Sequence, residues 1–277
     1  MPAGAFRPQL ALGAVSGAGA LARRSGGRSF PPMDAAIVER FRAARRDPGL
    51  AVLEGFHALK HALRFGADVL EIATADAGRV RALAEALAPD VAVALESLVS
   101  VPRELFERLA PHPPHEPVIA LARRPPDAGA AVLAASGPAP VVFLESPRDP
   151  GNIGAVVRVA AAAGAAGVLT TGEHDPWSPA ALRGGAGLQF ALPVERVREL
   201  PRNDRPVVVL DPEGEPLRGK RIPARALLAF GSERWGVSGE LRGRAQLRLA
   251  IPMRAGVSSL SIATAVAVVL YAGWSDA

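Results

Sequence analysis

The chain has 277 residues, 49% of them apolar, which is enough to bury one large core or two modest ones. It has no cysteine, which excludes disulfide scaffolds, cysteine-based zinc sites, iron–sulfur clusters and thiolate nucleophiles. A formal net charge of +5 points to an acidic partner, yet Arg7, Arg23, Arg24 and Arg28 supply four of those charges in an acid-free segment, 1–32, so the remainder is nearly neutral.

Residues 1–32, rich in Gly, Ala and Arg, are expected to be a basic disordered extension or a non-native start ahead of Met33. From there helical and strand patterns alternate. Residues 34–46 read as a helix, 50–55 (LAVLEG) as a strand, and 56–66 (FHALKHALRFG) as a helix closed by a glycine. Residues 69–74 (VLEIAT) read as a strand, 77–88 as a helix ended before Pro89, 91–95 (VAVAL) as a strand, 102–109 as a short helix and 117–122 (PVIALA) as a strand. This predicts a small α/β unit over 33–124. The Pro/Gly/Ala-rich stretch 125–139 is expected to be a linker, with room for a short helix near Val132.

The second unit, 140–277, has short fully apolar strand candidates at 141–145, 167–171, 207–210, 227–230 and 247–251. Such strands with crossovers imply a parallel sheet covered on both faces. The last helical run, SLSIATAVAVVLYAG, is apolar nearly all round and so needs cover on more than one side. Its apolar stretch 260–272, about 13 residues, falls short of the about 20 needed to span a bilayer. A cytoplasmic protein is therefore expected. The five histidines form no metal-binding pattern; His57 and His61, four apart, lack a third ligand, and no metal is expected.

Ligands of parallel α/β sheets bind beyond the carboxyl ends of strands. Three loops start at such ends: ESPRDPGNIGAVVR (145–158), GSERWGVS (231–238) and PMRAGVSSLS (252–261). Each joins glycine, which permits close backbone approach, to an amide, hydroxyl or carboxylate. The glycines at 151, 154, 164 and 167 do not have the spacing of a dinucleotide fingerprint, which counts against a nicotinamide-dependent oxidoreductase.

Together the three loops resemble the signature motifs of the SpoU–TrmH family of the SPOUT class, S-adenosylmethionine-dependent RNA ribose 2′-O-methyltransferases. Asn152 and Arg158 match the first motif, Gly231, Ser232, Glu233 and Gly236 the second, and Ile251–Met253 with Ser259-Leu260-Ser261 the third. Residues 175–194 resemble the family's middle segment, and LEGFHALKHAL (53–63) its N-terminal RNA-binding domain of ribosomal-protein-like fold. The resemblance implies an α/β fold in two parts, a small RNA-binding domain and a parallel-sheet SPOUT domain with a deep trefoil knot, acting as a homodimer. It implies a cofactor site at Phe230, Gly231, Ile251, Met253, Ser259 and Leu260, and a catalytic set of Arg158, Asn152, Glu233, Ser259 and Ser261. It makes Arg42, Arg45, Lys60, Arg64 and Arg183 candidates for RNA contact, although charged helix faces are more often merely solvated.

An arginine is a poor base near neutral pH, so Arg158 is assigned to gripping phosphate and stabilising an alkoxide, with Glu233 as base or orienting group. Ser261 stands where most members have Asn. The expected activity is methyl transfer to a ribose 2′-hydroxyl of rRNA or tRNA. The alternative is an RNA-binding protein impaired in catalysis through Ser261.

Overall fold

The computed structural model describes residues 33–257 and 259–272; the extension expected over 1–32 lies outside them. The first unit runs α1 (Met33–Ala44), β1 (Leu50–Glu54), α2 (Phe56–Arg64), β2 (Val69–Thr74), α3 (Ala77–Leu87), β3 (Val99–Ser100), α4 (Arg103–Phe106) and β4 (Val118–Arg123). Its sheet has the order β1-β4-β2-β3, antiparallel except for the β2–β3 pair.

Residues 91–95, expected as a strand, lie instead in a 3-10 helix, Pro89–Leu95. A strand would bury 91, 93 and 95 together; here Val91 and Leu95 are buried and Val93 is 76% exposed. Valine–alanine alternation is apolar at every position, so it fixes no face, while Pro89 favours the first turn of a helix. The strand role passes to the two-residue β3.

The second unit runs α5 (Gly129–Ala134), β5 (Val141–Leu144), α6 (Pro150–Ala162), β6 (Gly167–Thr170), α7 (Pro179–Gly184), β7 (Val194–Arg196), β8 (Val207–Pro216), β9 (Leu227–Phe230), α8 (Gly239–Gly243), β10 (Leu247–Ala250) and α9 (Ile262–Ala272). Its six strands pair in parallel in the order β10-β8-β9-β5-β6-β7. The fully buried β5, β6 and β9 are the continuous apolar runs that a doubly covered sheet requires. Edge strand β7 was not expected, because Val-Glu-Arg carries too short a pattern. Among the described residues no helix is long and apolar enough to cross a membrane.

The stretch 125–139 contains α5, whose Val132 and Leu133 pack with Val141, Phe143 and Leu169 of the second sheet. Arg205, 1% exposed, holds that helix: its guanidinium donates to the carbonyls of Val132, Leu133, Ala135, Ala139 and Arg225 at 2.8–3.1 Å. These bonds satisfy the orphan carbonyls of the last turn of α5. One apolar cluster runs from Leu53, Phe56 and Leu59 of the first unit to Ile153, Val156 and Leu182 of the second.

Polar contacts frame that joint. Buried Glu54 accepts from Arg45 (2.9 Å) and from Arg183, Arg124 pairs with Asp175 (2.8 Å), and His61 Nδ1 bonds the Ala186 carbonyl (2.8 Å).

Candidate active site

In the sheet, β8, β9 and β5 are neighbours and β10 flanks β8, so their carboxyl ends open on one side. The turn after β5 leads into α6. Asp149 caps that helix by accepting from the Asn152 N–H (2.8 Å), and Pro150 occupies its first turn. Gly154 lies against α7: a Cβ there would come within 2.1 Å of the Ala181 carbonyl oxygen. The glycines of this turn therefore serve helix–helix contact rather than a phosphate cradle.

The loop after β9 is a tight hairpin. Ser232 and Gly236 exchange two backbone hydrogen bonds, and Gly231 sits so close beneath them that a Cβ would meet the Gly236 carbonyl carbon at 1.9 Å. The first two loops are cross-tied by two carboxylates. Glu145 accepts from the Ser238 N–H (2.7 Å). Glu233 accepts from the Arg148 N–H (2.9 Å) through Oε2 and from Asn152 Nδ2 (3.0 Å) through Oε1. Asn152 and Glu233, two expected catalytic residues, thus meet directly, and Glu233 orients the amide.

Behind this tie lies a pocket of about 260 Å³. All six expected cofactor residues line it: Phe230, Gly231, Ile251, Met253, Ser259 and Leu260. Leu249, Ile262 and Ala265 add apolar wall, while Ser232 and Glu233 bring polar groups to the rim. A pocket with one apolar wall, a glycine-cleared floor and a polar edge fits a nucleoside bearing an amino-acid tail.

Sequence reasoning missed Leu210, Asp211 and Pro212, which line the same pocket from the middle of β8. Asp211 is 2% exposed and receives Arg242 Nε (2.8 Å), an Arg248 guanidinium N–H (2.9 Å) and the Glu213 N–H (3.0 Å). Burial pushes its carboxyl up, but the Glu213, Arg248 and Arg242 donors outweigh that and hold it below the ordinary carboxylate range. The available signal was an aspartate directly after an apolar run.

Arg158 projects from α6 into solvent and makes no ion pair or hydrogen bond among the described residues. It lies six residues, roughly 9 Å of helix rise, beyond Asn152. Exposed Arg148, Arg234 and Arg254 add one arginine per loop, each without an ion pair among the described residues.

Ser261 caps α9: its Oγ accepts from the Thr264 N–H (3.3 Å) and lies 3.0 Å from the Thr264 hydroxyl. Ser259 stays at the pocket wall. The arginines expected to contact RNA are differently engaged. Arg45 and Arg183, expected at RNA, both hold Glu54 at the joint between units. Arg64 forms a bidentate pair with Asp90 (both 2.7 Å), and Arg42 pairs with Glu39 (2.5 Å). Lys60 has no ion pair among the described residues, and no group of side chains there could hold a metal ion.

Residues 139–271 match the SpoU rRNA Methylase family. Over that stretch the chain is similar to SpoU methylases. Over 143 residues it is 34% identical to a 23S rRNA (guanosine(2553)-2′-O)-methyltransferase of Bacillus subtilis, an alignment covering 47% of this chain and 56% of that protein. The chain spans about half the length of the curated relatives it matches. A solved RNA 2′-O ribose methyltransferase is 25% identical with TM-score 0.66, covering 88% of this chain and 95% of the other. The SpoU methyltransferase AviRb of Streptomyces viridochromogenes, solved with AdoMet, shares the fold at TM-score 0.70 and 23% identity, covering 86% and 96% of the two chains. Both likenesses extend beyond residues 139–271 into the first unit.

Proposed function

We propose that this protein transfers a methyl group from S-adenosylmethionine to the 2′-hydroxyl of a ribose in rRNA or tRNA. The convergence of all six cofactor residues on one pocket, beside the Asn152–Glu233 contact, carries this reading. The names of its relatives, 2′-O-methyltransferases acting on 23S rRNA, support it.

Phe230, Ile251 and Leu260 hold the nucleoside of S-adenosylmethionine, with Gly231 clearing the space and Ser259 meeting its polar edge. Bound there, the cofactor supplies an electrophilic methyl on a sulfonium, which the ribose oxygen accepts with release of a neutral thioether and a proton. The chain's task is alignment, which is worth roughly 7–11 kcal/mol of barrier. Arg158 grips a substrate phosphate and stabilises charge developing on the ribose oxygen. Asn152, fixed by Glu233, sets the rim against which the ribose rests.

In this reading 33–124 recruits RNA, with Arg42, Lys60 and Arg64 at its surface, 125–139 links the units, and 140–277 performs the transfer in the cytoplasm. The same reading gives the last segment a trefoil knot, with which the return of the chain from edge strand β10 to lay α9 on α6 is compatible. A homodimer covers the face of α9 that leaves Val268 exposed. Nothing in the geometry favours the impaired-enzyme alternative, since Ser261 completes a helix cap and the pocket is intact.

Incubation with methyl-labelled cofactor and total RNA tests the proposal. Label transfer is expected, and Arg158→Ala should lower it at least about a hundredfold while leaving cofactor affinity within about twofold. A variant that keeps its activity contradicts the role of Arg158; absence of both cofactor binding and transfer contradicts the function.

A further inference from the structure

The described residues include two tryptophans in opposite settings. Trp177 is buried, donates Nε1–H to the Val194 carbonyl (3.0 Å) and packs edge-on against Phe190. Trp235 is 74% exposed, makes no side-chain hydrogen bond among the described residues and stands at the tip of the hairpin after β9. Its position is fixed rather than loose. The Ser232–Gly236 backbone pair closes the hairpin, Ser232 Oγ accepts from the Trp235 N–H (3.1 Å), and Gly236 takes a positive φ of 65°. Two residues before it Glu233 holds Asn152, and Ser232, Glu233 and Gly236 of the same hairpin line the candidate cofactor pocket.

One face of the indole is already covered: the Arg234 guanidinium carbon lies 4.7 Å from the ring centroid. The other partner must suit both a flat aromatic face and nearby positive charge, because exposed Arg148 donates its backbone N–H to Glu233 of the same hairpin and exposed Arg254 follows Met253 of the pocket wall. A second copy of this chain meeting through that surface would bring like charges together. An unpaired nucleobase meets both demands: its π-face stacks on indole, and its phosphates answer the arginines.

We propose that Trp235 is a stacking platform for an unpaired base beside the methylated nucleotide, with Arg234 on one face of the indole and the base on the other. The inference rests on the RNA methyltransferase reading and narrows it. A paired base within an A-form stem cannot offer its face to the indole, so the target ribose lies in a loop, bulge or single strand.

The probes are a short single-stranded oligoadenylate and an RNA duplex of equal length, followed by tryptophan fluorescence quenching and salt-matched titration. The wild type should bind the single strand with quenching. Trp235→Leu should bind it about ten- to a hundredfold more weakly, lose that quenching and raise the KM for RNA, with cofactor affinity unchanged. Trp235→Phe should restore most of the binding, and the duplex should not discriminate among the variants. Single-strand binding and KM unchanged in Trp235→Leu would overturn the platform, as would a change confined to oligomeric state by light scattering. Trp235-dependent binding without methylation of any RNA would leave the platform standing and refute the activity; methylation with an unchanged KM in Trp235→Leu would do the reverse.

Discussion

Both oxygens of Glu233 are engaged, one by a backbone N–H and one by the amide of Asn152, and this supports the proposal of an orienting group over that of a base. In Glu233→Gln the new NH2 faces a donor and one hydrogen bond is lost. The site is exposed, so the effect belongs at the low end for such a loss, about tenfold in transfer rate. The pH–rate profile should keep its shape; loss of its acidic limb would make Glu233 the base after all. The residues that line the candidate cofactor pocket were named through the resemblance of the three loops to the family motifs, and the apolar runs ahead of those loops located the loops themselves. Asp211 was not legible, since its role comes from Arg242 and Arg248, 31 and 37 residues away. For the same reason Arg45 and Arg183 were read as RNA contacts: a sequence shows a charge but not that its partner is Glu54.

At the scale of elements, strands with unbroken apolar runs were legible, whereas Pro89–Leu95 and β7 were not. Valine–alanine alternation fits strand and helix alike, and three residues are too few to establish a period. The small helix α5 owes its place to Arg205, a long-range contact that local pattern does not contain. Helix α2 docks on the second unit through His61, and burial there lowers the imidazole pKa from 6.5; the Ala186 carbonyl opposes this, while Lys60, Arg64 and His57 add to it. The folded state therefore binds fewer protons than the unfolded one. The stability that neutral His61 contributes is complete above about pH 6.5 and is lost as the pH falls from there through the folded value. His61→Gln keeps a donor for Ala186 but does not titrate. Melting temperatures of the two proteins should run parallel above pH 7 and diverge below about 6.5, with the wild type falling faster. Parallel curves down to pH 5 would remove His61 from the joint's pH response.

Across the whole molecule, the first unit is coupled by contact to the turn that carries Asn152. Glu54 at the end of β1 holds Arg183 of α7, and α7 in turn lies against Gly151 and Gly154 at the start of α6. The unit proposed to gather RNA is thereby packed against the helix that carries Asn152 and Arg158. None of this was legible from the order of elements, because the joint is built from side chains 51 to 129 residues apart. The two-part α/β layout was legible, since it follows from the alternation itself. The central claim, methyl transfer to a ribose oxygen, is tested most directly by locating the label. RNA methylated by the purified protein would be digested to nucleosides and separated. The account predicts label in a 2′-O-methylated nucleoside from an unpaired position; label on a base, or in no nucleoside, would contradict it.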